Sequence, residues 1–391
     1  MNILFLCDEY PPCNHGGIGS VTQTLARELA KKGQNIFVVG FYPYFRKGLK
    51  FENDEGVKVY RLFYGNWLTL QFSRRNFWGR ILNIENEFNS YIRFLYQFIK
   101  NNKIDLIEIP DFNETFRYSG QRLIKFPDFN IPTIVKLHGT YNFISYLTNN
   151  KFDTKNIYSK EKSLIDNATK VIATSKFIKE EVKKIFSYNK EITVIYNGIF
   201  TNNKIDYVNN SSDTVIFAGK LTENKGIFSL IRAWKKVILL FPNAKLLLYG
   251  NGNKKDIQKL NELLDDKTRK SIELKGFIRK ENLTNIYKSV SCAIFPSYAE
   301  SFGMAPIESM QVGCPTIFTR RASGQELITD KVNGLLVDPD NIDEIADAII
   351  LMLTNRKSAI EMGENGFETI RDKFDISKIA EIHIKFYKSI L

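Results

Sequence analysis

The chain has 391 residues, 43% of them apolar and 25% charged, more than one hydrophobic core usually holds and too apolar for a mainly disordered chain, so two domains of about 150 to 200 residues are expected. No apolar run approaches the ~18 residues of a membrane span, and "MNILFLCDEYPP" has no basic region ahead of its short apolar stretch, which argues against a span or a secretion signal and for a cytoplasmic protein. The formal charge of +12 is uneven: residues 1–200 hold 28 Lys and Arg against 19 Asp and Glu, a net of +9, so the first half is expected to face a phospholipid surface, a lipid diphosphate or nucleic acid.

Along the chain, short β-branched runs alternate with longer helical patterns, the sign of βαβ units and a mainly parallel sheet. Strands are predicted at 2–7, 35–40, 104–109, 132–137, 170–173 and 191–196. The clearest helix between them runs from about 84 to 101, where Ile84, Phe88, Tyr91, Leu95 and Phe98 share one face. The Asn-rich stretch 200–213, "FTNNKIDYVNNSSD", has too few apolar residues for a core and reads as a linker. Strands resume at 214–218, 245–249, 271–275, 291–295 and 315–318, with helices at about 226–240, 303–312 and 341–354. The expected architecture is α/β: two doubly wound, Rossmann-like domains, 1–199 and 214–374, facing a central cleft. The pattern alone assigns the last helix, within 375–391, to neither.

Cys7, Cys13, Cys292 and Cys314 lack zinc-site spacing and read as reduced packing residues. His15, His138 and His383 include no pair at i, i+4, so no histidine-built metal site is expected.

Four constellations carry chemistry. In "PPCNHGGIGS", Gly16, Gly17 and Gly19 allow close backbone approach to a ligand ahead of a helix N-terminus, which suits a phosphate. A tight turn needing φ > 0 explains them equally well. Thr22 at the third glycine position and the lack of an acid after "VVGFY" argue against a dinucleotide dehydrogenase. In "FAGKLTENKG", Lys220 and Lys225 lie where a strand's carboxyl end meets a helix, placed to neutralise a diphosphate or simply solvated. In "PSYAESFGMAPIESMQVGCPTI", Glu300 and Glu308 flank a helix expected to open near Gly303, with Pro306 tolerated in its first turn. The helix start suits an anion and the two carboxylates suit hydroxyl-rich ligands such as a sugar and a ribose. A capping role for Glu300 and an exposed helical position for Glu308 remain open. In "VKLHGTY", His138 follows a strand's carboxyl end, where ligands bind in such sheets, although a single histidine is more often structural.

Taken together, "GGIGS", "HG", "YNGI", "GKLTENKG", the Glu-x7-Glu block "ESFGMAPIE" and "NGLLVDPDN", in this order along nearly the whole chain, resemble the family-4 glycosyltransferases of the GT-B fold. The resemblance implies a retaining, metal-independent enzyme that binds a nucleotide-diphosphate sugar mainly in its C-terminal domain and an acceptor in its N-terminal one. It implies that Lys220 and Lys225 grip the diphosphate, that Glu308 holds the ribose and that Glu300 holds the donor sugar. The backbone of Phe302, Gly303 and Met304 would take sugar and phosphate oxygens, and Gly276, Phe277 and Ile278 would border the base. Gly17 would place its amide near the distal phosphate, His138 would line the reacting sugar, and the final helix would cross back to the first domain. The family usually has Arg where this chain has Lys220, and a lysine makes no bidentate fork to phosphate.

A departing diphosphate gathers negative charge, which the lysines, helix start and loop amides could stabilise without a metal or other cofactor. "DPD" at 338–340 resembles a metal motif but reads as a helix lead-in. Asp111, after the strand "IDLIEIP", is the candidate acceptor contact. Residues 61–82 interleave Arg61, Arg74, Arg75 and Arg80 with aromatic rings, which suits an anionic lipid surface or, equally, aromatic packing under a basic loop. The partners expected are thus a nucleotide sugar, a glycan or lipid-linked acceptor and a membrane face. A nucleotide-sugar epimerase or a basic nucleic-acid-binding protein would compete, but no RNA- or DNA-reading motif supports the latter. The Asn-, Lys- and Ile-rich composition suggests an AT-rich bacterial genome and surface-polysaccharide assembly.

Overall fold

The structure is a computed structural model that describes residues 1–12, 17–43, 48–64, 77–112, 127–149, 155–202, 204–208 and 213–391. The chain divides into two compact units: Met1–Thr174 with Ile178–Gly198 and Ile376–Leu391, and Ser175–Phe177 with Ile199–Asp375.

The first unit contains β1 (Asn2–Leu6), α1 (Gly17–Lys31), β2 (Asn35–Pro43), β3 (Gly48–Asp54), β4 (Val57–Tyr64), α2 (Phe77–Asn102), β5 (Leu106–Pro110), β6 (Thr133–Leu137), α3 (Tyr141–Asn149), α4 (Lys155–Asn167), β7 (Lys170–Ala173), α5 (Lys176–Phe186) and β8 (Ile192–Val194). Its eight strands are ordered β3-β4-β2-β1-β5-β6-β7-β8. All neighbours are parallel except β3 and β4. Ile3, Leu4, Phe5 and Leu6 are all buried, as a central parallel strand covered on both faces requires. The β3–β4 hairpin was not among the predicted elements. Its turn residues Glu55 and Gly56 have φ of 51° and 89°, the two left-handed residues of a tight type I′ connection. The outer strand is almost wholly exposed, so it lacks the apolar run that marks the other strands.

The second unit contains β9 (Thr214–Ala218), a single 3-10 turn (Glu223–Lys225), α6 (Ile227–Leu240), β10 (Lys245–Tyr249), α7 (Lys254–Leu263), α8 (Asp266–Ser271), β11 (Ile272–Gly276), α9 (Lys280–Tyr287), β12 (Cys292–Phe295), α10 (Met304–Met310), β13 (Thr316–Thr319), α11 (Gly324–Leu327), β14 (Leu335–Val337), α12 (Ile342–Thr354) and α13 (Arg356–Lys373). Its parallel sheet is ordered β11-β10-β9-β12-β13-β14. The α6 helix buries Ile227, Leu230, Ile231, Trp234 and Val237 at helical spacing, each side chain giving about 1.5 to 3 kcal/mol of gross hydrophobic stabilisation. Trp234 is fully buried and donates its Nε1–H to Ser271 Oγ at 2.9 Å, which satisfies its one polar atom.

The stretch expected to be a linker is attached to the second unit where it is described. Thr201 Oγ1 donates to Asp375 Oδ2 at 2.5 Å, Val208 N to the Lys288 carbonyl at 2.8 Å, and Tyr207 Oη to the Val290 carbonyl at 2.8 Å. Few apolar residues suffice here because Ile205 and Tyr207 pack beside Gly313.

The last helix, α14 (Ile376–Lys388), belongs to the first unit. Ile376, Ile379, Ala380 and Tyr387 share a core with Ile3, Phe5, Leu25 and Leu29. Beneath it lie two buried charges from adjacent strands, Glu108 of β5 and Lys136 of β6. Tyr387 Oη donates to Glu108 Oε2 at 2.6 Å, and Lys136 Nζ lies 3.4 Å from His383 Nε2. Since His383 Nδ1 faces the Ile379 carbonyl at 2.9 Å, Nδ1 carries the proton and Nε2 accepts from the ammonium. Burial and then the Lys136 charge push the His383 pKa well down, so this histidine is a neutral packing residue. Cys7, Cys292 and Cys314 are buried free thiols whose pKa burial raises; Cys13 and His15 lie outside the described residues.

Candidate active site

In the second unit the chain runs from β9 outward to β10 and β11, then returns to place β12 on β9's other side. Ligands of open α/β sheets bind at the carboxyl ends of strands where the order reverses in this way. The loops leaving β9 and β12 touch at that point. Gly226 has φ of 71°, and a Cβ on it would sit 1.8 Å from the Pro296 carbonyl oxygen, so both the backbone angle and the approach require glycine. Tyr298 N donates to the Asn224 carbonyl at 2.9 Å. These contacts bring Lys225 onto Glu300, Nζ to Oε1 at 2.6 Å, with the side chains 24% and 16% exposed. Lys220, by contrast, is exposed. Its neighbour Leu221 is buried and donates its N–H to the Asn251 carbonyl at 3.0 Å, which holds the loop backbone beneath the lysine.

The α10 helix is seven residues long, shorter than the 303–312 expected from sequence. Gly303 precedes it with φ of 97°, and a Cβ there would lie 2.8 Å from the Phe318 ring. No side chain caps this helix, and its third residue, Pro306, carries no N–H. Phe302 is buried edge-on against Phe374, and its carbonyl accepts from Ser323 Oγ at 2.7 Å. Glu308 is half-buried near Tyr287, whose phenol pKa is raised by burial and then by the Glu308 charge. The Tyr287 hydroxyl is buried with no hydrogen-bond partner among the described residues.

On the other side of β9, the strands end in glycine. Gly250 N donates to the Gly276 carbonyl at 2.8 Å, and a Cβ on Gly250 would lie 1.8 Å from the Gly219 carbonyl oxygen. Gly219, Gly250 and Gly276 thus form a side-chain-free shelf at the ends of β9, β10 and β11. Beyond it Phe277 is 78% exposed, and Ile278 is half-buried. Sequence reasoning passed over Gly250, although "YGNG" after β10 repeats the strand-then-glycine signal of "FAGK".

The acidic "DPD" is held by a guanidinium: Arg321 Nη2 lies 2.7 Å from Asp338 Oδ1 and 2.6 Å from Asp340 Oδ2. The cap of α12 is Asn341, which accepts from Glu344 N at 3.1 Å. Tyr298 joins this group by donating its hydroxyl to Asp340 Oδ1 at 2.9 Å. Arg321 and Tyr298 were not singled out from sequence, because their partners are distant in the chain.

In the first unit, β1 and β5 are neighbours at the corresponding reversal of strand order. The exposed Gly17 begins α1, with open space where a Cβ would point; Gly16 lies outside the described residues. Gly19 instead packs against the Glu9 carbonyl. His138 follows β6 and is half-buried. Burial, and then the charge of Lys136, push its pKa well below the usual value, so the ring is neutral. Asp111, expected to contact an acceptor, is buried and faces the protein. Its Oδ1 accepts from Phe112 N and His138 N, both at 2.8 Å, and its Oδ2 from Gly139 N at 3.1 Å. Burial pushes its pKa up to about 7 against those three amides.

Arg61 corrects the expectation of a basic residue open to lipid. It is buried, donating to Glu52 Oε1 at 2.7 Å, to the Tyr10 carbonyl at 2.8 Å and to Tyr42 Oη at 3.0 Å. The alternation of β4 turns it inward, where a carboxylate and backbone carbonyls satisfy its fork. Residues 65–76 lie outside the described residues, as do the side chains of 64–88. Among the described residues no helix is long and apolar enough to cross a membrane.

Comparison with known proteins bears on this geometry. A model of Glycosyltransferase Family 4 matches residues 15–203, and a model of Glycosyl transferases group 1 matches residues 200–369. The chain is 29% identical to an uncharacterized glycosyltransferase of Methanocaldococcus jannaschii, covering 99% of this chain and 98% of that one. It is 24% identical to the capsular polysaccharide biosynthesis glycosyltransferase CapM of Staphylococcus aureus, over 60% of this chain and 65% of that one. The solved structure of Anabaena HepE in complex with UDP-glucose superposes with a TM-score of 0.72 at 19% identity, covering 100% of both chains. With family models matched end to end over residues 15–369 and two parallel-sheet units of the same fold as HepE, the chain belongs to the family-4 glycosyltransferases of the GT-B fold.

Proposed function

We propose that this glycosyltransferase moves a hexosyl or related sugar from a nucleoside-diphosphate donor to a hydroxyl of a glycan or lipid-linked acceptor, with retention of configuration and without a metal. The reading rests above all on the Lys225–Glu300 pair at the β9/β12 reversal, which holds a cation and a carboxylate 2.6 Å apart, within hydrogen-bonding distance, at the expected ligand crevice. HepE's complex with UDP-glucose supports a donor of this class, and the likeness to CapM supports surface-polysaccharide assembly, at the cytoplasmic face of the membrane.

Lys220 and Lys225 neutralise the diphosphate, and the backbone from Phe302 to Met304 donates to its oxygens. Glu308 holds the ribose, Glu300 the sugar, and Gly276 to Ile278 border the base. Gly17 lends its amide to the distal phosphate and His138 lines the reacting sugar. The bond from the anomeric carbon to the phosphate oxygen breaks as the acceptor oxygen bonds to the same face of that carbon. The acceptor's proton passes to a leaving phosphate oxygen, and the nucleoside diphosphate departs. Fixed positive potential at the leaving group supplies most of the acceleration.

A thermal-shift panel of UDP-, GDP- and ADP-sugars with EDTA present tests donor and metal independence together; stabilisation by one nucleotide class is expected, and none by any sinks the reading. Glu300→Gln supplies a second arm. Freeing Lys225 from a partly exposed pair worth about 1 kcal/mol should tighten nucleoside-diphosphate binding by up to about fivefold while turnover falls. Unchanged turnover would remove Glu300 from the reaction.

A further inference from the structure

The turn after β6, residues 138–143, holds an arrangement that the reaction above does not use. Where a strand's carboxyl end runs into a helix, unpaired N–H groups ordinarily face the crevice and attract anions. In this turn they face inward. Asp111, at the end of β5, accepts from the amides of His138 and Gly139 at 2.8 and 3.1 Å. Glu161, on α4 and 9% exposed, accepts from the amides of Tyr141 and Asn142 at 2.8 and 3.3 Å, and from Asn142 Nδ2 at 2.7 Å. Thr140 Oγ1, fully buried, accepts from Phe143 N at 3.1 Å, and Ile144 N begins the helical bonding at the Thr140 carbonyl, 3.0 Å away. Five of the six amides from 138 to 143 are therefore bound to side chains of the protein itself.

The electrostatic sign of the turn follows. Two buried carboxylates lie beneath it, close enough that Glu161's charge acts on Asp111, and the imidazole beside them is neutral. An anion arriving here finds its usual amide donors already taken by two carboxyl groups. A hydroxyl meets a ring that both donates and accepts. Gly139, at φ of 111°, sets the reversal that lets one carboxylate reach consecutive amides.

We propose that Asp111 and Glu161 are positioning residues that fix the backbone carrying His138 and close the α3 N-terminus to anions, so that the group received there is an uncharged, hydroxyl-bearing part of a sugar. The sugar rests on the glycosyl transfer proposed above; the closure to anions does not.

The test uses the full chain. Amide hydrogen exchange of the 138–144 segment is followed by mass spectrometry with and without millimolar inorganic phosphate, and UDP release is measured with UDP-glucose. In the wild type the segment exchanges slowly and phosphate leaves it unchanged. Glu161→Ala exposes the first amides of α3, so exchange there rises about tenfold or more and phosphate now slows it. Glu161→Gln and Asp111→Asn keep the side-chain shape but turn an NH2 toward an N–H; their kcat falls about 10- to 100-fold through misplacement of His138, while UDP affinity is unchanged. Phosphate protection of the wild-type segment overturns the closure to anions. Full kcat in both amide variants, or an equal loss of UDP affinity, overturns the positioning role. A wild type inert toward UDP-glucose counts against that donor, and the exchange and phosphate arms still decide the clamp.

Discussion

Asp111 shows how a single buried carboxylate can tie stability and turnover to pH in opposite senses. Its folded pKa, pushed up to about 7 by burial, lies above the ordinary carboxylate value of about 3.9. Between those two values the folded chain holds a proton that the unfolded chain has released. The stability this group contributes is thus complete below about pH 4 and is lost as the pH rises through about 7. Activity runs the other way. Both Asp111 oxygens face amide N–H donors, so a proton on either one opposes a donor and loosens the His138 turn. Melting temperature should fall, and kcat rise, as pH goes from about 6 to about 8. Asp111→Asn should flatten both trends; if the two trends keep their full slope in that variant, another group controls them.

At the scale of elements, the buried quartet under α14 makes the sharpest prediction. Lys136→Met would leave Glu108 with only the Tyr387 hydroxyl, an uncompensated buried charge that costs about 3 to 5 kcal/mol. Adding Glu108→Gln should restore most of that, since paired removal takes away the charge that lacked a partner. Denaturant midpoints of the two single variants and the double variant measure the coupling, and additive losses would show that the two charges do not interact. None of this was legible in sequence: Glu108 and Lys136 sit inside apolar strand runs, and their partners lie more than 200 residues away. Most strands were legible, because β1, β2, β5, β6 and β9 are mainly apolar runs buried on both faces, and so was α6, whose buried residues recur at helical spacing. The exposed β3 escaped for want of apolar content, β4 because Lys58 and Arg61 interrupt its apolar residues, and β14 because it is only three residues long. The lysines of the second unit were singled out by their place after a strand end, and its two glutamates by their spacing around a helix start. The pairing of Lys225 with Glu300 was not, because it depends on Gly226 letting two distant loops touch.

The whole molecule is asymmetric in how its units close. The second unit is nearly continuous, Ile199–Asp375, apart from three residues, and its core of Phe217, Trp234, Leu246, Ile294, Ile317 and Ile349 draws on no residue outside that span. The first unit is completed only by the end of the chain. Without α14, Ile3, Phe5, Leu25 and Leu29 lose Ile376, Ile379 and Tyr387 from their cluster. Glu108 loses the Tyr387 hydroxyl and Lys136 the His383 acceptor, so apolar exposure and two poorly solvated charges act together. A fragment of residues 199–375 should therefore unfold in one cooperative transition, and UDP should raise its melting temperature if the donor groups of this unit bind as proposed. A fragment of residues 1–198 should show no cooperative transition, and joining residues 376–391 to it through a flexible Gly/Ser linker should restore one. Circular dichroism melts of the three fragments measure this. A cooperative melt for 1–198 alone would show that its sheet tolerates the buried Glu108 and Lys136 without the helix, and the quartet would then be decoration on a unit that closes by itself.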